Sequence, residues 1–195
     1  MKKGKAYTLD FRRKRKGKTD YRTRLNLLVS RNFRVVLRRM LNNFSVQIVD
    51  FSEKGDRVLV SAYTRELIKY GWKGHRGNVS SSYLVGLLCG LKAKKKNINS
   101  GVADFGCFRI IRGSSFFAAL KGLIDSGFNI SVSEKYLPSE DRIKGLHIQN
   151  YAEKIKGSPS YQKQFSNYLK SGLKPDEFIK HFEEVKNKIV KDGSK

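Results

Sequence analysis

The sequence predicts an α/β fold, a mixed β-sheet with helices, preceded by a basic N-terminal arm and followed by a helical C-terminal tail. Three observations carry this. "RVVLRRML", "FSVQIVDF" and "RVLVSAY" are short β-branched runs separated by turn-rich breaks. Helical and extended patterns then alternate along the chain, which lays helices on the sheet. And a formal net charge of +24 is gathered toward one end.

The elements follow in order. Residues 1–18 hold almost no apolar side chains, cannot bury themselves, and are expected to be disordered alone. Thr19 or Asp20 is placed to cap a helix. Tyr21, Leu25, Leu28 and Val29 recur at i, i+4, i+7 and i+8, a stripe expected to anchor that helix, with Arg22, Arg24 and Asn26 off it. The three β-branched runs read as an antiparallel meander. "TRELIKYGW" reads as a short helix stopped by Gly71. A longer helix follows, with Asn78 or Ser80 near its cap and Lys92 and Lys94–Lys96 at its dipole-negative end. "GVADFGCF" is a fourth strand. "SSFFAALKGLIDSG" is a helix capped by Ser114 or Ser115 and stopped by Gly127. "FNISVS" is a short fifth strand. Beyond Pro138 the pattern is helical. Phe178, Phe182, Val185 and Ile189 stripe the last helix. The chain thus divides into an arm (1–18), a core (19–150) and a helical extension (151–195).

Charge narrows the function. Residues 1–39 carry 15 Lys/Arg against 2 Asp/Glu, a net +13, more than half the total. Such an excess repels itself unless a polyanion neutralises it. Phosphate is the usual counter-surface, on nucleic acid or anionic lipid. No apolar run reaches the roughly 18 residues of a membrane span, and the charges of the N-terminus lead into more charges rather than a signal-peptide core. Cys89 and Cys107 form neither a disulfide framework nor a zinc pattern; two packed, reduced thiols are expected. His75, His147 and His181 lie far apart and are read as surface or RNA-facing.

Two stretches point to phosphate. Arg12, Arg13, Lys14, Arg15, Lys16 and Lys18 crowd the arm, where arginine forks can hold phosphate in a bidentate manner. "YGWKGHRGN" sets glycines among Lys73, His75 and Arg76 before a helix start, so that backbone N–H groups can approach an anion. Its spacing is not a Walker loop, and Trp72 can equally be a core residue. Asp50 and Asp104 at strand ends raise the alternative of a metal-dependent nuclease. That chemistry needs more acids converging on two metals, and turn or capping roles are expected instead. A general DNA-compacting or chaperone protein is the other alternative.

"KTDYRTRLNLL", "SAYTRELIKYGWKGHRGNVSSSYLVGLLCGLKA", "FFAALKGLIDSGFNI" and "LPSEDRIKGLHIQNYA" resemble the archaeal and eukaryotic type of the L-eighteen family of large-subunit ribosomal proteins, over roughly Lys2 to Ala152. The resemblance implies a ribonuclease-H-like fold of the translational machinery, without catalysis or cofactor. It implies binding to 5S rRNA, contact with large-subunit rRNA in the central protuberance, ribosomal protein L five as neighbour, no membrane, and a cytoplasmic location on the ribosome. Carried over by position, the RNA-facing residues are Arg12, Arg13, Arg15, Lys18, Tyr21, Arg22 and Arg24, with Lys73, Arg76 and Asn78 in the glycine loop. "DFGCFRIIRG" departs from the family's usual "DIGL" and proline-containing loop, so Arg109 and Arg112 are weaker candidates.

Overall fold

A computed structural model describes residues 8–193. Strands β1 (Arg34–Arg39), β2 (Phe44–Asp50) and β3 (Arg57–Tyr63) form the antiparallel meander, and β4 (Val102–Asp104) joins parallel to β1, giving the order β3-β2-β1-β4. A mixed sheet is the expected class. "FNISVS" contributes only an isolated bridge, Ser100 to Asn129, and is not the expected fifth strand. Its backbone leaves the α-helix α4 (Ser115–Asp125) at Gly127, which has φ +94°, and reaches the sheet edge at one residue.

One face of the sheet is apolar. Val35 and Leu37 alternate in β1, Phe44, Val46 and Ile48 in β2, and all are fully buried. They meet α3 (Val79–Lys94) and α4. Those two helices touch backbone to backbone. A Cβ on Gly86 would stand 2.0 Å from Ala119 O, and one on Gly122 would stand 2.2 Å from Tyr83 O. The side-chain-free positions let the helices approach closely, so α3 is buried along nearly its whole length.

The free edge of the sheet is blocked. Between Ile48 and Val49 the β2–β3 register shifts, leaving Leu59 as the bulged residue. Lys96 Nζ donates to Leu59 O at 2.6 Å and Lys92 Nζ to Ser61 O at 3.0 Å. The lysines expected merely to suit a helix dipole thus occupy carbonyls that another strand would otherwise use.

The C-terminal part is packed into this same core. Helix α5 (Glu140–Lys144) is followed by α6 (Leu146–Ile155), which runs through residue 150, then α7 (Pro159–Gln164) and α8 (Ser166–Lys170). The last helix, α9 (Phe178–Gly193), buries Phe178, Phe182, Val185 and Ile189, the expected stripe, within the main apolar cluster.

The N-terminal expectations need correction. Residues 1–7 of the arm lie outside the described residues. Residues 12–15 form a single helical turn, α1 (Arg12–Arg15), exposed throughout. The helix α2 (Tyr21–Val29) buries no residue fully. Leu25 is 62% and Val29 72% exposed, while Tyr21, Arg24, Leu27 and Leu28 are half-buried. The anchoring face is therefore turned from the expected stripe, because an ion pair from Arg24 sets the rotation of the helix. Leu25→Asp accordingly shifts the unfolding midpoint by no more than about 0.5 kcal/mol of stability, as at other open surface sites. A chemical-denaturation curve checks this. A loss of several kcal/mol would mean that Leu25 is covered.

Candidate nucleic-acid interface

The second face of the sheet is polar and lies beneath α2. Strand periodicity puts Arg34, Val36 and Arg38 on one side of β1, opposite the buried Val35 and Leu37. Arg34 is only 2% exposed. Its Nη1 donates to Asp104 Oδ2 at 3.1 Å. Its Nη2 lies 2.6 Å from Asp56 Oδ2, but the N–H is poorly aimed, so that contact is ionic rather than a directed hydrogen bond. Arg24 reaches down from α2 and grips Asp56 with two nitrogens, at 2.8 and 2.7 Å. Arg38 donates to Asp104 O at 2.9 Å and Oδ1 at 3.3 Å. Asp104 also accepts from Gly106 N at 2.8 Å. The fork from Arg24, with help from Arg34, holds the Asp56 carboxyl below the usual carboxylate range.

The arm leaves from this clamp. Asp20, not Thr19, caps α2, accepting from Arg22 N at 3.0 Å and Thr23 N at 3.3 Å, and from Thr23 Oγ1 at 2.7 Å. The Thr23 hydroxyl and N–H hold the Asp20 carboxyl below its ordinary range. Thr19 instead accepts from Arg13 Nε at 2.8 Å, and the Phe11 ring lies 5.1 Å from that of Tyr21. Arg13 and Lys18 border a cleft of about 610 Å³ between arm, α2 and sheet. Arg12, Arg15 and Arg22 are exposed, and Arg15 Nε donates to Asp10 O. Arg24 differs from its neighbours: it is already committed to Asp56 and fixes the helix rather than facing outward.

The glycine loop forms a second site, sharing no lining residue with the first. Trp72 is a core residue, 4% exposed, set edge-on to Phe178 and stacked 5.3 Å from His181. Gly74 fits there because a Cβ would come within 2.8 Å of the Trp72 ring. The loop is fastened by the C-terminal part. Lys73 N donates to His181 Nε2 at 3.1 Å, and Ser171 Oγ donates to Lys73 O at 3.1 Å. Asn78 caps α3 through Ser81 N at 2.8 Å. Lys73 is exposed and Arg76 half-buried, and among the described residues neither has a carboxylate within ion-pair distance.

His75 is exposed as expected, but the other two histidines are less so. His181 and His147 are half-buried, and burial pushes the imidazole pKa down in both. A depressed folded value means that protonation favours the unfolded chain. The His181 contact with the loop is thus complete above the ordinary histidine range and weakens as pH falls below it. The thiols divide: Cys89 is buried, which pushes it up to about 12, whereas Cys107 is exposed rather than packed. Cys107 lies in the divergent loop, where Phe108, Ile110 and Ile111 are also exposed and Arg112 covers the Tyr136 ring at 5.2 Å.

Asp50 is exposed at the end of β2, and Asp104 is occupied by two arginines. Among the described residues no group of three or more His, Cys, Asp or Glu could hold a metal ion. Sequence reasoning misses Arg34 and Arg38 as partners of Asp104, although their period-two spacing in "RVVLRR" marks a polar face. Gln164, Asn167 and Tyr168 beside the glycine loop carry no comparable sequence signal.

An α/β scaffold with one apolar face, one clamped polar face and a projecting cationic arm defines a basic binding protein. The profile of the family described as "Ribosomal large subunit proteins 60S L5, and 50S L18" matches residues 5–103. The large ribosomal subunit protein uL18 of Methanococcus maripaludis is 47% identical over 185 residues, covering 94% of this chain and 96% of its own length. The chain belongs to this family of large-subunit ribosomal proteins, structural components of the cytoplasmic ribosome rather than known enzymes.

Proposed function

We propose that this chain binds 5S rRNA and helps attach it to large-subunit rRNA in the central protuberance, with ribosomal protein L five beside it. The arm supplies the supporting observation. Its arginines and lysines project from a capped, clamped helix, and all but Lys14 lack a carboxylate partner among the described residues. Ribosomal RNA is largely A-form, which proteins read through phosphates, 2′-hydroxyls and shape. In this reading residues 1–18 lie on RNA phosphates, Tyr21 and Arg22 continue that surface, and the core acts as a non-catalytic scaffold of the ribonuclease-H-like kind. Lys73, Arg76 and Asn78 offer a second contact, suited to the other RNA.

Filter binding with labelled 5S rRNA, against unlabelled 5S rRNA and random duplex DNA of equal length, tests this. The expected result is displacement by 5S rRNA at far lower concentration than by DNA. Equal competition would make the chain a general polyanion binder and overturn the proposal.

A further inference from the structure

The cleft beside the glycine loop, about 530 Å³, is lined differently from the cleft under α2. The cations beneath α2 are faced by Asp20, Asp56 and Asp104. Around the second cleft there is no carboxylate among the lining residues. Its walls carry four carboxamides, from Asn42 of the β1–β2 turn, Asn78 of the α3 cap, Gln164 at the end of α7 and Asn167 of α8. Two rings, His75 and Tyr168, lie among them, and Lys73, Gly74 and Arg76 complete the lining.

The amides have capacity to spare. Asn78 Oδ1 is taken by Ser81 N, while its buried Nδ2 closes no well-formed hydrogen bond, although the Tyr168 hydroxyl stands nearby. Gln164 and Asn167 are exposed, and neither side chain donates a hydrogen bond among the described residues. A carboxamide offers both donor and acceptor, which matches the edge of a base, whereas a phosphate asks only for donors. A concave site of this size suits a small planar group; a duplex backbone lies along an open surface. Unpaired RNA bases are held by stacking on aromatic rings and by hydrogen bonds along their edges.

Resting on the RNA-binding reading above, we infer that this cleft takes an unpaired nucleotide turned out of ribosomal RNA. The carboxamides grip the base edge, Tyr168 or His75 offers a stacking surface, and Lys73 and Arg76 hold the adjoining phosphates. The C-terminal helices α7 and α8 then form half of an RNA site.

The test compares the wild-type chain with Gln164→Ala/Asn167→Ala. Both positions are exposed, so the fold is retained, which a melting curve confirms. The probe is large-subunit ribosomal RNA containing 5S rRNA, mapped by 2′-hydroxyl acylation for unpaired nucleotides and by hydroxyl radicals for the backbone. The wild type is expected to protect at least one unpaired nucleotide that the double variant leaves reactive. The variant should bind about tenfold more weakly, the loss of about one bidentate contact between an amide and a base edge, with the stacking rings left in place. Its backbone footprint from the arm and its salt dependence should be unchanged, since no cation is removed. Identical acylation maps for the two proteins, or a wild-type footprint on backbone alone, would overturn the inference and leave the arm's role standing. A wild type with no footprint of either kind would overturn the RNA reading itself, and this inference with it.

Discussion

Affinity for 5S rRNA falls by about 10³–10⁵ between 50 and 200 mM monovalent salt, if the protein neutralises roughly six to ten phosphates as the counterion-release rule for duplexes describes. The structure supplies that number of cations. Lys14 is paired with Asp10, and Arg24 with Asp56. Arg12, Arg13, Arg15, Lys16, Lys18 and Arg22, six in all, have no carboxylate partner among the described residues. Removing residues 1–18 should flatten the salt dependence by most of this set. The same truncation should leave stability within about 0.5 kcal/mol, because α1 buries nothing and Asp20 still caps α2. The two measurements are a salt series of binding curves and a melting curve. A flat salt series would sink the electrostatic account. A truncated chain that melts far below wild type would show that the arm is part of the fold.

The division between what the sequence revealed and what it concealed has a physical cause. The meander, the buried stripe of α9 and the Asn78 cap depend on local pattern, and each stands where the pattern puts it. The orientation of α2 does not. Its apolar residues are spread widely enough that Leu28 can face inward with either Leu25 and Val29 or Leu27 beside it. The choice is made by Asp56, 32 residues away from Arg24 along the chain. A long-range ion pair leaves no periodic trace. The resemblance points to Lys73, Arg76 and Asn78, but does not show that the end of α8 and α9 fasten their loop. Those contacts come through Ser171 and His181, isolated polar residues in a stretch whose pattern says only that it is helical.

Asp104→Asn destabilises the protein by about 1.5–3 kcal/mol, the cost of losing a charged hydrogen-bond partner, short of the full cost of an orphaned buried charge because Asp56 still faces Arg34. In the sequence Asp50 and Asp104 look alike, two strand-end acids for which turn or capping roles are expected. The structure separates them. Asp104 is 7% exposed and compensates Arg34, whose guanidinium is almost wholly out of water and whose Nε has no hydrogen-bond partner. An Asn there removes the compensating charge. Asp56 then faces Arg34 and Arg24 alone, so the clamp under α2 weakens as well. Asp50→Asn, on an exposed side chain, should change stability by about 0.5 kcal/mol or less. Acid should resemble the Asp104 variant through the other carboxylate. Because the folded pKa of Asp56 is depressed, its contribution is present above the ordinary carboxylate range and is lost as pH falls through the depressed value. Urea unfolding of both single variants at neutral pH is the check, with the slope against denaturant showing whether the end states are unchanged. If Asp104→Asn unfolds at the wild-type midpoint, the pair with Arg34 does not hold the sheet face together, and α2 must be seated by Tyr21, Leu27 and Leu28 alone.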